Sequence, residues 1–260
     1  MKVVVLGAGP AGLIAAHTAC RLGHDVTIIT MEDKPSVISG AQILHEPVTG
    51  INAGPGFEIM YIKQGTQEGY AEKVYGSPDA VCSWPLYPDG PMEAWPMIHT
   101  YAELWKMHHG RMIFAEMDYH RVDRLRQRFD AVFSSIPLPQ IMHSPEWELF
   151  SQQAVWISTL YEAGEGDWII YHGEDAPQYR SSQIRGIMHV EYPNEKAVHR
   201  TGVPLPNLRR VVKPLDVDGG DETRQGIVPD GVHLVGRYGQ WRKGVLAHHA
   251  QTQVEEVLGS

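Results

Sequence analysis

An α/β fold built around a parallel sheet is predicted by three features of the sequence. These are a short, wholly apolar strand at the start, a glycine-patterned turn directly after it, and an alanine-rich helix leading into a second apolar strand. Val3-Val4-Val5-Leu6 is a continuous apolar run, the pattern of a strand buried on both faces of a parallel sheet. Gly7-Ala8-Gly9-Pro10-Ala11-Gly12 follows. Residues 13–22 then read as a helix closed by Gly23, a residue suited to the left-handed position after a helix end. Residues 25–30 (DVTIIT) form the next strand. Strand, glycine turn, helix and strand within ~30 residues make a βαβ unit with a right-handed crossover.

Further along, residues 31–101 are rich in Gly and Pro, most densely at 50–56 and 77–96, which predicts strands and turns rather than long helices. Residues 101–109 read as a helix, and 111–115 and 131–136 as short strands. The segments 154–160, 168–171 and 184–190 alternate in polarity, as in an antiparallel sheet with one covered face. Residues 232–236 are strand-like, and 245–258 read as an amphipathic closing helix. No internal repeat or low-complexity tract interrupts this order.

The chain has 260 residues, 43% hydrophobic and 20% charged, a composition that supports a folded core and an enclosed pocket. A net charge of −9 disfavours a general nucleic-acid binder, because such a surface repels phosphate backbones. Arg209, Arg210 and Lys213 are close in sequence and read as a solvated strand edge or loop. Cys20 and Cys82 are the only cysteines, so neither a disulfide framework nor a CxxC site can be built. This fits a reducing cytoplasm. Gly7 interrupts the first apolar run far short of a membrane span, and no signal-peptide layout is present. The fourteen histidines include neighbouring pairs, His108-His109 and His248-His249, but no HExxH or Cys/His cluster, so no metal site is expected. No GxSxG elbow accompanies Ser134-Ser135. The seven tryptophans read as core or pocket lining rather than as a base-stacking platform.

GxGxxG alone is weak evidence, but here it follows a buried strand and opens a helix, the context dinucleotide binding requires. Gly7 permits the tight turn, Gly9 lets the backbone approach a pyrophosphate, and Gly12 allows close helix–strand packing. Pro10, Ala11 and Gly12 open the helix, and the free N–H groups at that start, with the helix dipole, favour phosphate. The acidic residue usual at the end of the second strand is replaced by Thr30, with Glu32 two residues on. Either Glu32 reaches the ribose or the adenosine end is held less tightly.

Near the C-terminus, Gly236-Arg237-Tyr238-Gly239-Gln240-Trp241-Arg242-Lys243-Gly244-Val245-Leu246 carries a strand into a Gly- and Arg-rich turn and then a helix. In the middle, residues 129–139 (FDAVFSSIPLP) bring a strand to a proline, Pro137. With the N-terminal turn, these segments resemble the amine oxidase-like flavoproteins, in particular the UDP-galactopyranose mutase branch. The resemblance covers about a third of the chain. It implies FAD as cofactor and a Rossmann-type FAD-binding domain with a parallel sheet (residues 1–45, 101–137 and 231–260). A smaller, trimmed antiparallel-sheet substrate domain (46–100 and 138–230) would be interleaved with it. It further implies that Ile113 passes the adenine side, and that Gly236, Arg237, Gly244, Val245 and Leu246 face the isoalloxazine.

Substrate-side candidates come from the residues themselves. Gln42 and His45 are polar groups among apolar neighbours in residues 39–45, fit either to fix a substrate or cofactor or to be satisfied structural side chains. Tyr179 and Arg180 combine a stackable ring with a fork-shaped donor that can pair with carboxylate or phosphate; an ordinary surface arginine is the competing reading. Trp241 can wall a pocket, and Lys243 can bind anionic flavin or move a proton. With His45 these are the candidate catalytic residues.

The resulting expectation is an FAD-dependent, amine oxidase-like oxidoreductase in which hydride passes from a small polar or amine substrate to flavin N5. Redox-neutral chemistry of the mutase type is an alternative, as is modification of a nucleobase or base-linked amine in nucleic acid. A binding module that has lost catalysis is the non-enzyme alternative. A homodimer is compatible with the sequence, and no membrane partner is expected.

Overall fold

The apolar run that opens the sequence becomes the central strand of a five-stranded parallel sheet in the computed structural model, which describes residues 1–38, 40, 42–80, 82, 84, 89–142, 152–161, 164–202, 204–215 and 228–259. Strand β1 (Lys2–Leu6) lies between β2 (Asp25–Thr30) and β7 (Ala131–Ser134), flanked by β6 (Met112–Phe114) and β13 (Val232–Leu234) at the edges. All four pairings are parallel. Val3, Val4, Val5 and Leu6 are fully buried because alternate side chains enter different cores. Val3 and Val5 pack with helices α1 (Pro10–Arg21), α3 (Met97–His108) and α7 (His249–Leu258). Val4 and Leu6 pack on the other face with Val122 of helix α4 (Tyr119–Leu125), Leu138 and Trp241, while a short helix α5 (Glu195–His199) lies later in the chain.

The second sheet has eight strands in the order β12-β8-β11-β10-β9-β4-β5-β3. They are β3 (Ile43–Leu44), β4 (Phe57–Gln64), β5 (Gly90–Pro96), β8 (Gln152–Tyr161), β9 (Trp168–His172), β10 (Arg180–Ile184), β11 (Ile187–Tyr192) and β12 (Arg209–Pro214). Every neighbouring pair is antiparallel apart from β4 and β9. The sheet is therefore mixed rather than purely antiparallel. One face packs Ile59, Tyr61, Ile169 and Tyr171 against Tyr70, Ala71 and Val74 of helix α2 (Gln67–Tyr75).

Several elements differ from the sequence expectation. Helix α2 lies inside the Gly- and Pro-rich stretch. Thr66 caps it by accepting a hydrogen bond from the Gly69 amide, and Gly76 closes it at φ 76°, so a start and a stop signal were both present. The single strand expected at 184–190 is a hairpin, reversed at Arg185 (φ 50°) and Gly186 (φ 77°). Two consecutive left-handed residues are what a type I′ turn needs. Helix α3 begins at Met97, four residues before 101, with the extended Pro96 as its N-cap. The closing helix starts at His249 rather than at 245, because Gly244 sits at φ 89° and the chain turns before the helix is set. Strand β3 pairs with β5 in the second sheet, although residues up to 45 were expected in the cofactor domain. Among the described residues, no helix is long and apolar enough to cross a membrane.

Candidate functional site

Two turns of the parallel-sheet unit meet at the N-terminus of α1. Gly7, at φ 91°, donates its amide to Ile29 O (2.8 Å). A Cβ on Gly12 would stand 2.0 Å from Gly7 O and 2.5 Å from Ser135 Oγ, so only glycine fits. Ser135 Oγ locks the turn by donating toward Leu6 O (3.0 Å) and Gly7 O (3.3 Å). Helix α1 has Gly9 at its N-cap, Pro10 in its first turn, no side-chain cap and no acid in that turn. A Cβ on Gly9 would meet nothing within 4 Å. An uncapped helix start facing open space is the cradle a pyrophosphate needs, so the residues present fit a dinucleotide. The second turn, helix α6 (Gly236–Gly239), presses on the first: a Cβ on Gly236 would lie 2.4 Å from Ala11 Cβ.

At the end of β2, Thr30 is buried and Glu32 is exposed, its amide donating to Thr30 Oγ1 at 3.3 Å. Ile113 is 53% exposed on the edge strand β6, where it pairs with Ile29. Pro137 ends the segment after β7 and is half-buried.

A cavity of about 230 Å³ opens where the α6 turn meets the second sheet. It gathers His45 after β3, Tyr179 just before β10, Arg180 of β10, Lys213 of β12, and Arg237, Lys243, Gly244 and Leu246. Seven residues singled out from sequence thus share one cavity: His45, Tyr179, Arg180, Arg237, Lys243, Gly244 and Leu246. Trp241 does not. It is 2% exposed at φ 49°, packed in the apolar core beneath the parallel sheet, so it backs the turn and does not wall the cavity. Val245 is outside the lining as well. Gln42 faces a different cavity, with Ile38, Tyr101 and Arg209. Its Nε2 reaches Ile38 O and His189 Nε2, both at 2.7 Å. Its neighbours Ser39 and Ala41 lie outside the described residues.

Behind the cavity, Glu191 of β11 is fully buried. It receives hydrogen bonds from Tyr179 OH (2.5 Å) and Arg180 Nε (2.7 Å), and it is ion-paired with Lys213. Burial alone would raise its carboxyl; Arg180 and Lys213 outweigh that and hold it well below the ordinary range. Burial draws Lys213 down to about 8, against the opposing pull of Glu191. Lys243 is drawn to about 6, first by burial and then by the charges of Lys213, Arg237 and Arg180. Its Nζ stands 3.8 Å from the centre of the Tyr75 ring. Burial also lowers His45, with His249 adding to the effect. At pH 7 both Lys243 and His45 are therefore neutral and able to take up a proton.

Sequence reasoning missed Ser135, Glu191 and the inward turn of Lys213. For Lys213 a signal existed: in a strand, alternate residues share a face, and Val211 and Lys213 both line the cavity while Arg209 and Arg210 are exposed. Nothing in one sequence marks Glu191 as buried. Among the described residues, no group of three His, Cys, Asp or Glu side chains could hold a metal.

The geometry agrees with known proteins. The FAD binding domain family matches residues 1–112 of this chain. A geranylgeranyl bacteriochlorophyll reductase-like protein of Thermoplasma acidophilum is similar over 99% of this chain and 79% of its own, at 12% identity and a TM-score of 0.58. PqsL of P. aeruginosa, solved with 2-aminobenzoylacetate, is similar over 100% and 85%, at 12% identity and a TM-score of 0.53. HpxO of Klebsiella pneumoniae, solved with FAD and uric acid, is similar over 99% and 78%, at 12% identity and a TM-score of 0.50. At such identities these likenesses establish the fold, and the family match establishes FAD as the cofactor of an FAD-binding, Rossmann-type domain joined to a second, mixed-sheet unit.

Proposed function

We propose that this protein is an FAD-dependent oxidoreductase acting on a small polar substrate in the cavity between the α6 turn and the second sheet. The observation that carries the reading is the convergence there of Lys243, Gly244 and Leu246 with Tyr179 and Arg180. The cofactor's pyrophosphate belongs at Gly7, Gly9, Pro10, Ala11 and Gly12, and Glu32, exposed just after the second strand, is the acid assigned to the ribose. Ile113 offers an apolar face to the adenine. When bound, FAD supplies a two-electron hydride acceptor at N5.

The chain's own residues do the rest. Arg237 and the backbone at 244–246 stabilise negative charge at the ring's polar edge. Lys243 Nζ, uncharged at neutral pH, accepts the proton that leaves the substrate as hydride is removed. His45, which lines the same cavity, is a second neutral base. The resemblance to the amine oxidase-like flavoproteins and their mutase branch, carried by the N-terminal turn, residues 129–139 and residues 236–246, adds oxidation of an amine as one form of this chemistry. The cationic lining admits such a substrate only as its neutral free base.

The test is anaerobic reduction of the FAD-loaded protein by a panel of polar substrates and NAD(P)H. Bleaching is expected, and Lys243→Met should keep FAD while slowing substrate-driven bleaching by about 10²-fold or more. A flavin that no substrate or nicotinamide reduces, or a variant as fast as the parent, would refute the reading.

A further inference from the structure

The described lining of the active cavity contains four basic side chains, three of them charged at neutral pH, and no carboxylate. Arg180 comes from β10, Lys213 from β12, Arg237 from α6, and Lys243 from the turn after it. Glu191 behind them is one carboxylate shared by Arg180, Lys213 and the Tyr179 hydroxyl, so it offsets one charge of the two it touches. Arg237 Nε is buried without a hydrogen-bond partner. Among the described residues, Lys243 meets the face of Tyr75 and pairs with no acid. Buried cations without counter-charges are costly unless a ligand supplies the missing charge. A cationic substrate would add to the repulsion that already depresses Lys243.

The remaining walls limit the shape of the ligand. Tyr61 and Tyr171 stack with ring centres 6.3 Å apart, and Tyr70 meets Tyr171 edge-on at 5.6 Å. Such a wall favours a flat, apolar body. Arg180 and Lys213 come from the second sheet, across the cavity from the cofactor turn. Glu191 engages Nε and Nη2 of Arg180, which fixes the guanidinium and commits no donor on Nη1 to that carboxylate.

We propose that the substrate is a small organic anion, a carboxylate or phosphate ester on a flat apolar body, whose charge is received by Arg180 and Lys213. This rests on the reading of the cavity as the substrate site of an FAD-dependent oxidoreductase.

Four ring compounds of similar size test it by calorimetry on the FAD-loaded full chain: benzoate, phenyl phosphate, neutral benzamide and cationic benzylamine. At least one of the two anions should bind about tenfold or more tightly than benzamide, with benzylamine weakest. The tighter of the two anions identifies carboxylate or phosphate ester as the natural group. Lys213→Met leaves Glu191 paired with Arg180. It should weaken anion binding about tenfold while leaving benzamide within about twofold. If that variant does not fold, the four-probe comparison on the parent still decides. Equal binding of all four, binding of none, or a preference for benzylamine overturns the inference. A charge preference in a protein whose flavin no substrate or nicotinamide ever reduces would instead overturn the oxidoreductase reading and leave the anion site standing.

Discussion

Replacing Glu191 by glutamine removes one negative charge and almost no volume from the point where Tyr179, Arg180 and Lys213 converge. In the parent, Arg180 Nη2 lies 2.5 Å from Glu191 Oε1, the Arg180 Nε bond is 2.7 Å, and the carboxylate is completely buried. Side-chain exposure is 19% for Arg180 and 15% for Lys213, so water cannot take over as counter-charge. Removing one member of a buried pair costs about 3–5 kcal/mol, because the partner charges stay behind. Glutamine keeps an oxygen acceptor, which places Glu191→Gln near the lower figure. For a chain of this size about 3 kcal/mol corresponds to a fall in Tm of roughly 6–12 °C. The assay is thermal denaturation followed by far-UV circular dichroism at pH 7 with saturating FAD. Adding Lys213→Met to Glu191→Gln removes one of the two orphaned cations, so the double variant should recover at least about 1 kcal/mol over the single one. A single variant melting within about 2 °C of the parent, or a double variant less stable than the sum of its parts, would refute the buried-hub argument.

Three further outcomes follow from the cofactor turn and the buried histidines. Gly9→Ala adds a Cβ that meets no protein atom, so the apoprotein should melt as the parent does while FAD affinity falls about tenfold or more. Gly12→Ala, whose Cβ would press on Gly7 O, should destabilise the apoprotein itself. Equal FAD binding by Gly9→Ala, measured by fluorescence titration, would contradict the placement of the pyrophosphate. His108, His172, His189 and His248 are each drawn by burial to about 4. Unfolded, each takes a proton near pH 6.5, so from there down to about 4 the unfolded chain holds more protons and stability is lost as the pH falls. The urea midpoint at pH 5 should lie below that at pH 7; an equal or higher midpoint would count against neutral buried histidines.

The parallel-sheet half was legible because its signals are local. An apolar run, six residues of GxGxxG and an alanine-rich helix are contiguous, and their geometry follows from steric rules that need no distant partner. The C-terminal turn is local in the same way, and four of its residues, Arg237, Lys243, Gly244 and Leu246, line one cavity. What stayed hidden depends on pairing between remote strands. Lys213 reads as a surface lysine until β12 docks on β8 and alternation turns it inward. Glu191 sits between Val190 and Tyr192 like any strand glutamate until Arg180 and Lys213 arrive from two other strands. Trp241 shows the opposite failure. Its closeness in sequence to the flavin-side residues suggested a pocket wall, but the left-handed conformation at that residue sends the indole into the core. Helix α2 was legible in its caps, Thr66 and Gly76, and was obscured by the glycines and prolines around it.

The position of the cationic cavity follows from how the two sheets are joined. The edge strand β12 is tied to the α6 turn by the Tyr238 hydroxyl, which donates to Val212 O at 3.1 Å, and Val212 enters the same apolar core as Trp241 and Tyr238. Because residues alternate along β12, the contact that fixes Val212 against the cofactor unit necessarily turns Val211 and Lys213 to the other side, into the cavity. The strand that joins the units therefore also delivers a cation beside Arg237 and Lys243. Like charges brought together at a seam push it apart, and neutral contacts at Tyr238, Val212 and Trp241 hold it closed in the absence of a ligand. A bound anion would relieve that repulsion, so substrate binding and tightening of the seam are expected to reinforce each other.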